Sequence, residues 1–305
     1  MIATTEYERL RESVGLLDRS ARGKLRLTGE EAADYLQGQV TNDVAALEPG
    51  SGLYAALLNH KGKMLADMRI LRAEDFLWID TEPEALPVLA RNVGMYSIGR
   101  DVRHEEVSAT HSILSLIGPE ARARLEDPPP SEEHAFTQGE HGLYVATDLG
   151  VDVICPAAEA ATVRDALGVE PVSEEAAECL RIESGRPRFL YDVGTETIPQ
   201  EAGLNERAVS FTKGCYVGQE TVARLHYKGK PNRHLRGLRL SQPAARGDEI
   251  RLGERVVGEL GSTAVSPELG PIALAVIRRE AEPGATVEVG AALSPAVVAE
   301  LPFAG

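Results

Sequence analysis

Residues 211–224 read FTKGCYVGQETVAR, with a lone Cys215 between Gly214 and Gly218 and with Lys213 two residues before it. Three chemistries fit a thiol in that setting. As a nucleophile or transfer group Cys215 needs a lowered pKa, which a nearby ammonium such as Lys213 favours. As a metal ligand it lacks company, because Cys179 lies 36 residues away and His226 lies 11 away. As a small buried hydrophobe it would follow the commonest fate of free cysteine. The glycines on either side allow close backbone approach to chain or ligand.

A second group lies in NHKGKMLADMRIL, where Leu65, Asp67 and Arg69 share one face of an extended segment. Either Asp67 and Arg69 form a solvent-facing pair, or the Asp67 carboxylate points inward to hydrogen-bond a heterocycle and hold a proton. LRIESGRPRFLYDV adds Arg181, Glu183, Arg186, Arg188 and Asp192, read as a solvated ladder or as a buried network anchoring the next loop. Residues 221–247 hold seven basic residues (224, 228, 230, 233, 236, 239 and 246) and no acid, in a chain of net charge −15. That run draws in an anionic ligand or acidic partner, or dresses a barrel strand.

The elements that must position these groups fall into three stretches. From about residue 23 to 107, KLRLTG, GLYAALLN, KMLADMRILRA, DFLWIDT and RDVRHEEV alternate as strands, while EEAADYLQGQV and ALPVLARNVGM have helical spacing. We read this as the split β-α-β-β-α-β order of ferredoxin-like sandwiches. A second, weaker copy follows in HSILSLIG, PEARARL, HAFTQ, GLYVATD, VDVICP and AAEAATVRDALG, and EEAAECLRIESG then adds a helix. After about Leu235 the runs shorten to LRGLRL, DEIRL, ERVVGEL, GPIALAVIRR and ATVEVG, the texture of a small antiparallel barrel.

The chain has 305 residues, enough for two or three packed cores. Its acidity disfavours direct nucleic-acid or anionic-membrane binding. Three dispersed cysteines without a CxxC pattern argue against disulfides and zinc and for a reducing cytoplasm. The opening residues form no signal peptide, and no apolar run reaches membrane-spanning length. GxxxxGKS and strand-borne GxGxxG loops are absent from the sequence.

KGCYVGQE, residues 213–220, resembles the signature K-G-C-[FY]-x-G-Q-E of the YgfZ family of folate-binding proteins, relatives of the glycine-cleavage T-protein (aminomethyltransferase) and of mitochondrial iron–sulfur assembly factors. GLLDRSARGKLRLTGEEAADYLQGQVTNDVAALEPG, NHKGKMLADMRI, LIGPEAR, LRIESGRPRFLYDV and IPQEAGLNERAVSF follow the family's order. The resemblance implies an α+β fold: a three-domain T-protein-like ring of two ferredoxin-like units and a C-terminal antiparallel β-barrel. It divides the chain into 1–25 with 108–230, 26–107, and 231–305. It implies that tetrahydrofolate or a one-carbon derivative binds centrally.

By the same resemblance, Asp67 takes the place of the T-protein's catalytic aspartate and Asp152 that of a folate-contacting glutamate. Arg22 and Leu71 line the cavity. Lys213, Gln219, Glu220 and Arg224 complete the folate-binding set, with Cys215 beside it as a redox or transfer contact. Ala177 stands where T-proteins carry an arginine, and KGCYVGQE differs from the T-protein at this point. Both departures favour a tetrahydrofolate-binding accessory protein for assembly or repair of iron–sulfur enzymes, one of them a tRNA-methylthiolating enzyme. The alternative is a folate-dependent aminomethyl- or methyltransferase. Expected partners are reduced folate and iron–sulfur enzymes or assembly factors, with the protein itself a cytoplasmic monomer.

Overall fold

The structure, a computed structural model, describes residues 4–303. Among them, strands β1 (Gly15–Asp18), β2 (Gly23–Thr28), β3 (Ser51–Leu58), β4 (Met64–Arg72), β5 (Leu77–Thr81) and β6 (Arg103–Glu106) are followed by β7 (His111–Ile117), β8 (Phe136–Gly139), β9 (Gly142–Ala146) and β10 (Gly150–Pro156). Strands β11 (Arg233–Leu240), β12 (Glu249–Leu252), β13 (Arg255–Glu259), β14 (Thr263–Ser266), β15 (Gly270–Arg278), β16 (Thr286–Val289) and β17 (Ser294–Ala299) complete the set. The helices are α1 (Thr4–Glu12), α2 (Ala32–Gln37), α3 (Leu86–Tyr96), α4 (Ala160–Leu167), α5 (Glu174–Glu183), α6 (Asn205–Ala208) and α7 (Gln219–Lys228). No helix among the described residues is long and apolar enough to cross a membrane.

The chain forms two compact units, one of Glu8–Val172 with Asn205–Glu220 and the other of Met1–Tyr7, Ser173–Leu204 and Thr221–Gly305. The first holds two five-stranded sheets, ordered β3-β4-β5-β2-β6 and β1-β7-β10-β9-β8. All their ladders are antiparallel. Leu77–Thr81 pairs between β2 and β4 as a full strand, so the first stretch carries one strand more than the split β-α-β-β-α-β order. PEARARL folds only as a short 3-10 turn, Ala121–Arg124, and GLLD of the N-terminal region becomes the edge strand β1. Helical spacing over so few residues between Pro119 and the Pro128–Pro130 break cannot sustain a longer helix.

One apolar cluster joins the two sheets, with Leu71 and Trp78 from the first against Ile113, Phe136, Val145 and Ile154 from the second. Each such fully buried side chain contributes about 1.5–3 kcal/mol of transfer free energy. Leu71 is thus a core residue. Because side chains alternate along β4, the face that carries Leu71 also carries Arg69 and Asp67. A second cluster packs α4 residues Val163 and Leu167 on Leu114, Leu116 and Val153 of the other face.

In the second unit a seven-stranded antiparallel sheet runs β13-β12-β16-β17-β11-β15-β14 and curls into a half-barrel around Leu238, Ile250, Ala273, Val287 and Val298. Helix α5 lays Ile182 against Leu235, Ile272, Leu274 and Phe303 of that sheet. At its end, Arg181 donates to Glu178, Asp192 and Ser262, while Asp192 accepts from the Ser262 and Arg188 backbones. LRIESGRPRFLYDV is therefore a buried anchoring network, not a solvated ladder.

Gly52 on β3 explains how the loop before β8 reaches the first sheet. A Cβ there would sit 2.7 Å from the Ile70 carbonyl oxygen and 2.9 Å from that of His134. Gly52→Ala should cost about 1–3 kcal/mol in a denaturant titration and displace the His134 loop. An unchanged midpoint would contradict this packing.

Candidate active site

The site grows from cross-strand register in the first unit. Arg69 of β4 lies opposite Asp80 of β5, and Asp152 of β10 lies opposite Ser115 of β7. Arg69 links both pairs: its Nε donates to Asp80 at 2.8 Å and its Nη1 to Asp152 at 2.6 Å. The other oxygens are also engaged, since Ser115 donates to Asp152 at 2.6 Å and Arg22 Nε donates to Asp80 at 2.9 Å. Arg22 Nη1 then reaches Glu82 at 2.8 Å. Two guanidiniums thus hold three carboxylates in an unbroken line, and burying Arg69, Asp80 and Asp152 is tolerable because each oxygen of the two aspartates accepts a hydrogen bond.

Asp67 stands beside this line, 5% exposed. Its carboxylate accepts from the Tyr54 hydroxyl, and its backbone carbonyl accepts from Thr81 Oγ1. Arg69, two residues on, pairs elsewhere, so the solvent-facing Asp67/Arg69 pair is overturned: the inward face of β4 is buried against the second sheet.

The electrostatics follow from these partners. Burial pushes Asp67 up to about 6, against the Tyr54 hydrogen bond and the Arg22 charge. Burial and the Asp67 charge raise the Tyr54 phenol well above its usual value. Asp80 moves the other way: burial opposes its ionisation, but Arg69 and Arg22 outweigh it and hold it at about 2. Asp67 therefore exchanges its proton near pH 6 while Asp80 stays ionised, the separation that proton-handling sites use.

Tyr54 also lies under the Arg207 guanidinium, 5.2 Å from its ring centroid. Arg207 donates to Glu133 at 2.7 Å, and His134 Nε2 lies 3.7 Å from the same carboxylate. Burial, with Arg69 nearby, lowers His134 to about 4, so its ring is neutral at pH 7. Three buried nitrogens of this neighbourhood lack a hydrogen-bond partner: Arg69 Nη2, His134 Nδ1 and Arg207 Nε. Buried polar atoms are nearly always paired, so these nitrogens are hydrogen-bonding capacity that the protein's own groups leave unused.

The signature segment has a different geometry. Lys213 Nζ gives its protons to the carbonyl oxygens of Gln37, Val40 (2.7 Å) and Asn42 (2.9 Å), satisfying the end of α2. Burial lowers this lysine to about 8. Gly218 has φ +86°, and a Cβ there would meet the Asn59 carbonyl oxygen at 2.6 Å, so it seats the segment on the β3–β4 turn. Between those anchors Tyr216 is buried and Cys215 exposed, which removes the buried-hydrophobe reading of the thiol. Gln219 and Glu220 open α7, and Arg224 lies exposed further along it. No group of three or more His, Cys, Asp or Glu among the described residues is placed to hold a metal ion.

Of the residues singled out in the sequence, the structure brings Asp67, Arg22 and Asp152 into one charged neighbourhood, with Leu71 in the core beside it. Tyr54, Asp80, Glu82, Ser115, His134 and Arg207 were not anticipated. Asp80 left a signal, a carboxylate inside the apolar strand LWIDT. His134 left none, because its placement depends on a loop with φ +72°. The basic run is partly engaged in the second unit: Arg233 pairs with Glu201 at 2.9 Å, and Arg246 donates to the Leu190 carbonyl and lies 4.6 Å from the Tyr191 ring centroid.

Two predictions follow from the burial of these groups. Asp67 is raised in the folded state, so its contribution favours folding at pH 4 and is lost as pH rises through about 6. Asp67→Asn should hence match wild type at pH 4 and exceed it by on the order of 2 kcal/mol at pH 8, read from urea midpoints. Equal stability at pH 8 would contradict the raised carboxyl. Lys213→Met strands three carbonyls and should cost about 2–4 kcal/mol, whereas exposed Cys215→Ser should change stability by under about 0.5 kcal/mol.

Residues 1–141 match the GCVT N-terminal domain family, and residues 233–304 match the glycine cleavage T-protein C-terminal barrel domain family. An aminomethyltransferase of Staphylococcus carnosus (strain TM300) is 28% identical over 305 residues, covering 90% of this chain and 82% of the relative. The crystal structure of the glycine cleavage system aminomethyltransferase T from Bartonella henselae superposes with a TM-score of 0.89 at 23% identity, over 98% of this chain and 89% of that one. The fold is thus α+β and T-protein-like, as the resemblance implied. The chain thus carries a GCVT N-terminal domain and a glycine cleavage T-protein C-terminal barrel domain and is homologous to an aminomethyltransferase.

Proposed function

We propose that this protein binds reduced folate, as tetrahydrofolate or a one-carbon derivative, and transfers a one-carbon unit as a folate-dependent aminomethyltransferase of the T-protein type. The observation that carries the reading is Asp67: a buried carboxyl at about 6, held by a phenol, in a chain homologous to aminomethyltransferases. The donor set fits a polar heterocycle, since Arg69 Nη2 and Arg207 Nε are buried N–H groups without partners.

Tetrahydrofolate, when bound, would supply the nitrogen that accepts the one-carbon unit, whose bond to its donor breaks as the new carbon–nitrogen bond forms, the bonding pair leaving with the donor. Asp67 takes up the proton lost there, being largely ionised above pH 6 yet basic enough to accept it. Tyr54 fixes the carboxyl's direction through its hydroxyl, and Arg22, tied to Asp80 and Glu82, supplies positive charge without binding Asp67. Arg69 and Arg207 hold acceptor atoms of the ligand. Asp152 acts through Arg69, since both of its oxygens are already engaged.

A second reading rests on a different feature. KGCYVGQE, with its exposed Cys215, favours the YgfZ-type accessory role in assembly or repair of iron–sulfur enzymes over aminomethyl transfer. In that role folate sits beside Asp67 as before, and the thiol faces an iron–sulfur client or assembly factor.

Calorimetry with tetrahydrofolate should show binding that Asp67→Asn weakens at least about tenfold. No heat of binding at about 1 mM ligand would overturn both readings. Turnover of an aminomethyl donor with tetrahydrofolate, with kcat/KM falling as pH drops through about 6, supports the first. Binding without turnover, together with loss of iron–sulfur enzyme activity in cells carrying Cys215→Ala, supports the second.

A further inference from the structure

Arg22 lies within electrostatic range of Asp67, yet it makes no hydrogen bond to it. Its Nε is held by Asp80 at 2.9 Å and its Nη1 by Glu82 at 2.8 Å. Asp80 is itself fixed from the other side by Arg69 Nε at 2.8 Å, so it cannot turn with Arg22. Glu82 follows the end of β5, next to Thr81, whose hydroxyl donates to the Asp67 carbonyl. The charged and titratable groups around Asp67 are accordingly Tyr54 from β3, Arg22 from the turn before β2, and Glu82 beyond β5. Arg207 acts more remotely, through the Tyr54 ring.

We infer that Asp80 and Glu82 are positioning residues: together they hold the guanidinium of Arg22 away from Asp67 and leave Tyr54 as the side-chain partner of that carboxyl. The physical reason is competition for one cation. A guanidinium free to turn would form a bidentate pair with Asp67, the strongest geometry available to the two groups. Two carboxylates already in place on its Nε and Nη1 outcompete a third. Asp67 then keeps an exchangeable proton instead of becoming a permanent anion. The inference deepens the proposed function and rests on its reading of Asp67 as the proton-handling group.

The test is a carbon-detected NMR titration of aspartate-labelled protein, with the Asp67 signal assigned by its loss in Asp67→Asn. In wild type the midpoint should lie near pH 6. In Glu82→Gln, which removes a carboxylate and frees Nη1, it should fall by about one pH unit, and Asp80→Asn should move it the same way. Glu82→Asp, which keeps the charge, should stay near wild type. Asp80 is 1% exposed and bonded to two guanidiniums, so Asp80→Asn is open to misfolding; Glu82→Gln keeps the test decisive. An unmoved midpoint in folded Glu82→Gln overturns the inference. Tetrahydrofolate titrated into the same samples separates the two claims: failure of wild type to bind it overturns the functional reading, while a Glu82→Gln shift larger in wild type than in an Arg22→Met background, where only the lost charge of Glu82 acts, still supports the clamp.

Discussion

The burial of Asp67 without a cation of its own is the constraint on which the rest of the site depends. Two guanidiniums donate to Glu82, Asp80 and Asp152, and the fourth carboxyl is left with a phenol. A buried ion in that position must either neutralise or destabilise the fold. Here it neutralises near pH 6, and ionising it above that pH costs the fold some stability. Structural ion pairs would have been satisfied far more fully.

That arrangement is possible because one strand face serves two ends. Along β4, Leu71 enters the apolar cluster between the sheets, Arg69 crosses to Asp152 in the same interlayer, and Asp67 follows at the next inward position. The apolar end fixes the strand, and the strand fixes the carboxyl. Gly52 lets the His134 loop approach the same sheet, which brings a neutral imidazole beside Arg69 and Arg207. Packing and electrostatics are therefore coupled at this site, and a change in one would be read in the other.

Much of this was legible in the residues and some was not. Extended stretches such as GLYAALLN and KMLADMRILRA stand as strands where the sequence put them. Short elements were harder: PEARARL has helical spacing but too few residues, and GLLD pairs as β1 only because β7, about a hundred residues on, offers an edge. The face that Asp67 shares with Arg69 was visible in the spacing, but not that this face is buried, with Arg69 reaching Asp152 on a sheet distant in sequence. The resemblance of KGCYVGQE drew attention to Lys213 as a ligand contact, whereas its ammonium closes the end of α2 on three carbonyls. Arg233 and Arg236 of the basic run likewise pair with acids outside that stretch, Glu201 and Glu300.

The central claim is that Asp67 meets the ligand directly. A crystal structure with bound tetrahydrofolate tests it most directly. The account predicts a heterocycle nitrogen within hydrogen-bonding distance of the Asp67 carboxylate, with Arg69 Nη2 or Arg207 Nε on an acceptor atom of the same molecule. Well-ordered ligand elsewhere on the protein, with Asp67 still paired only to Tyr54, would contradict it.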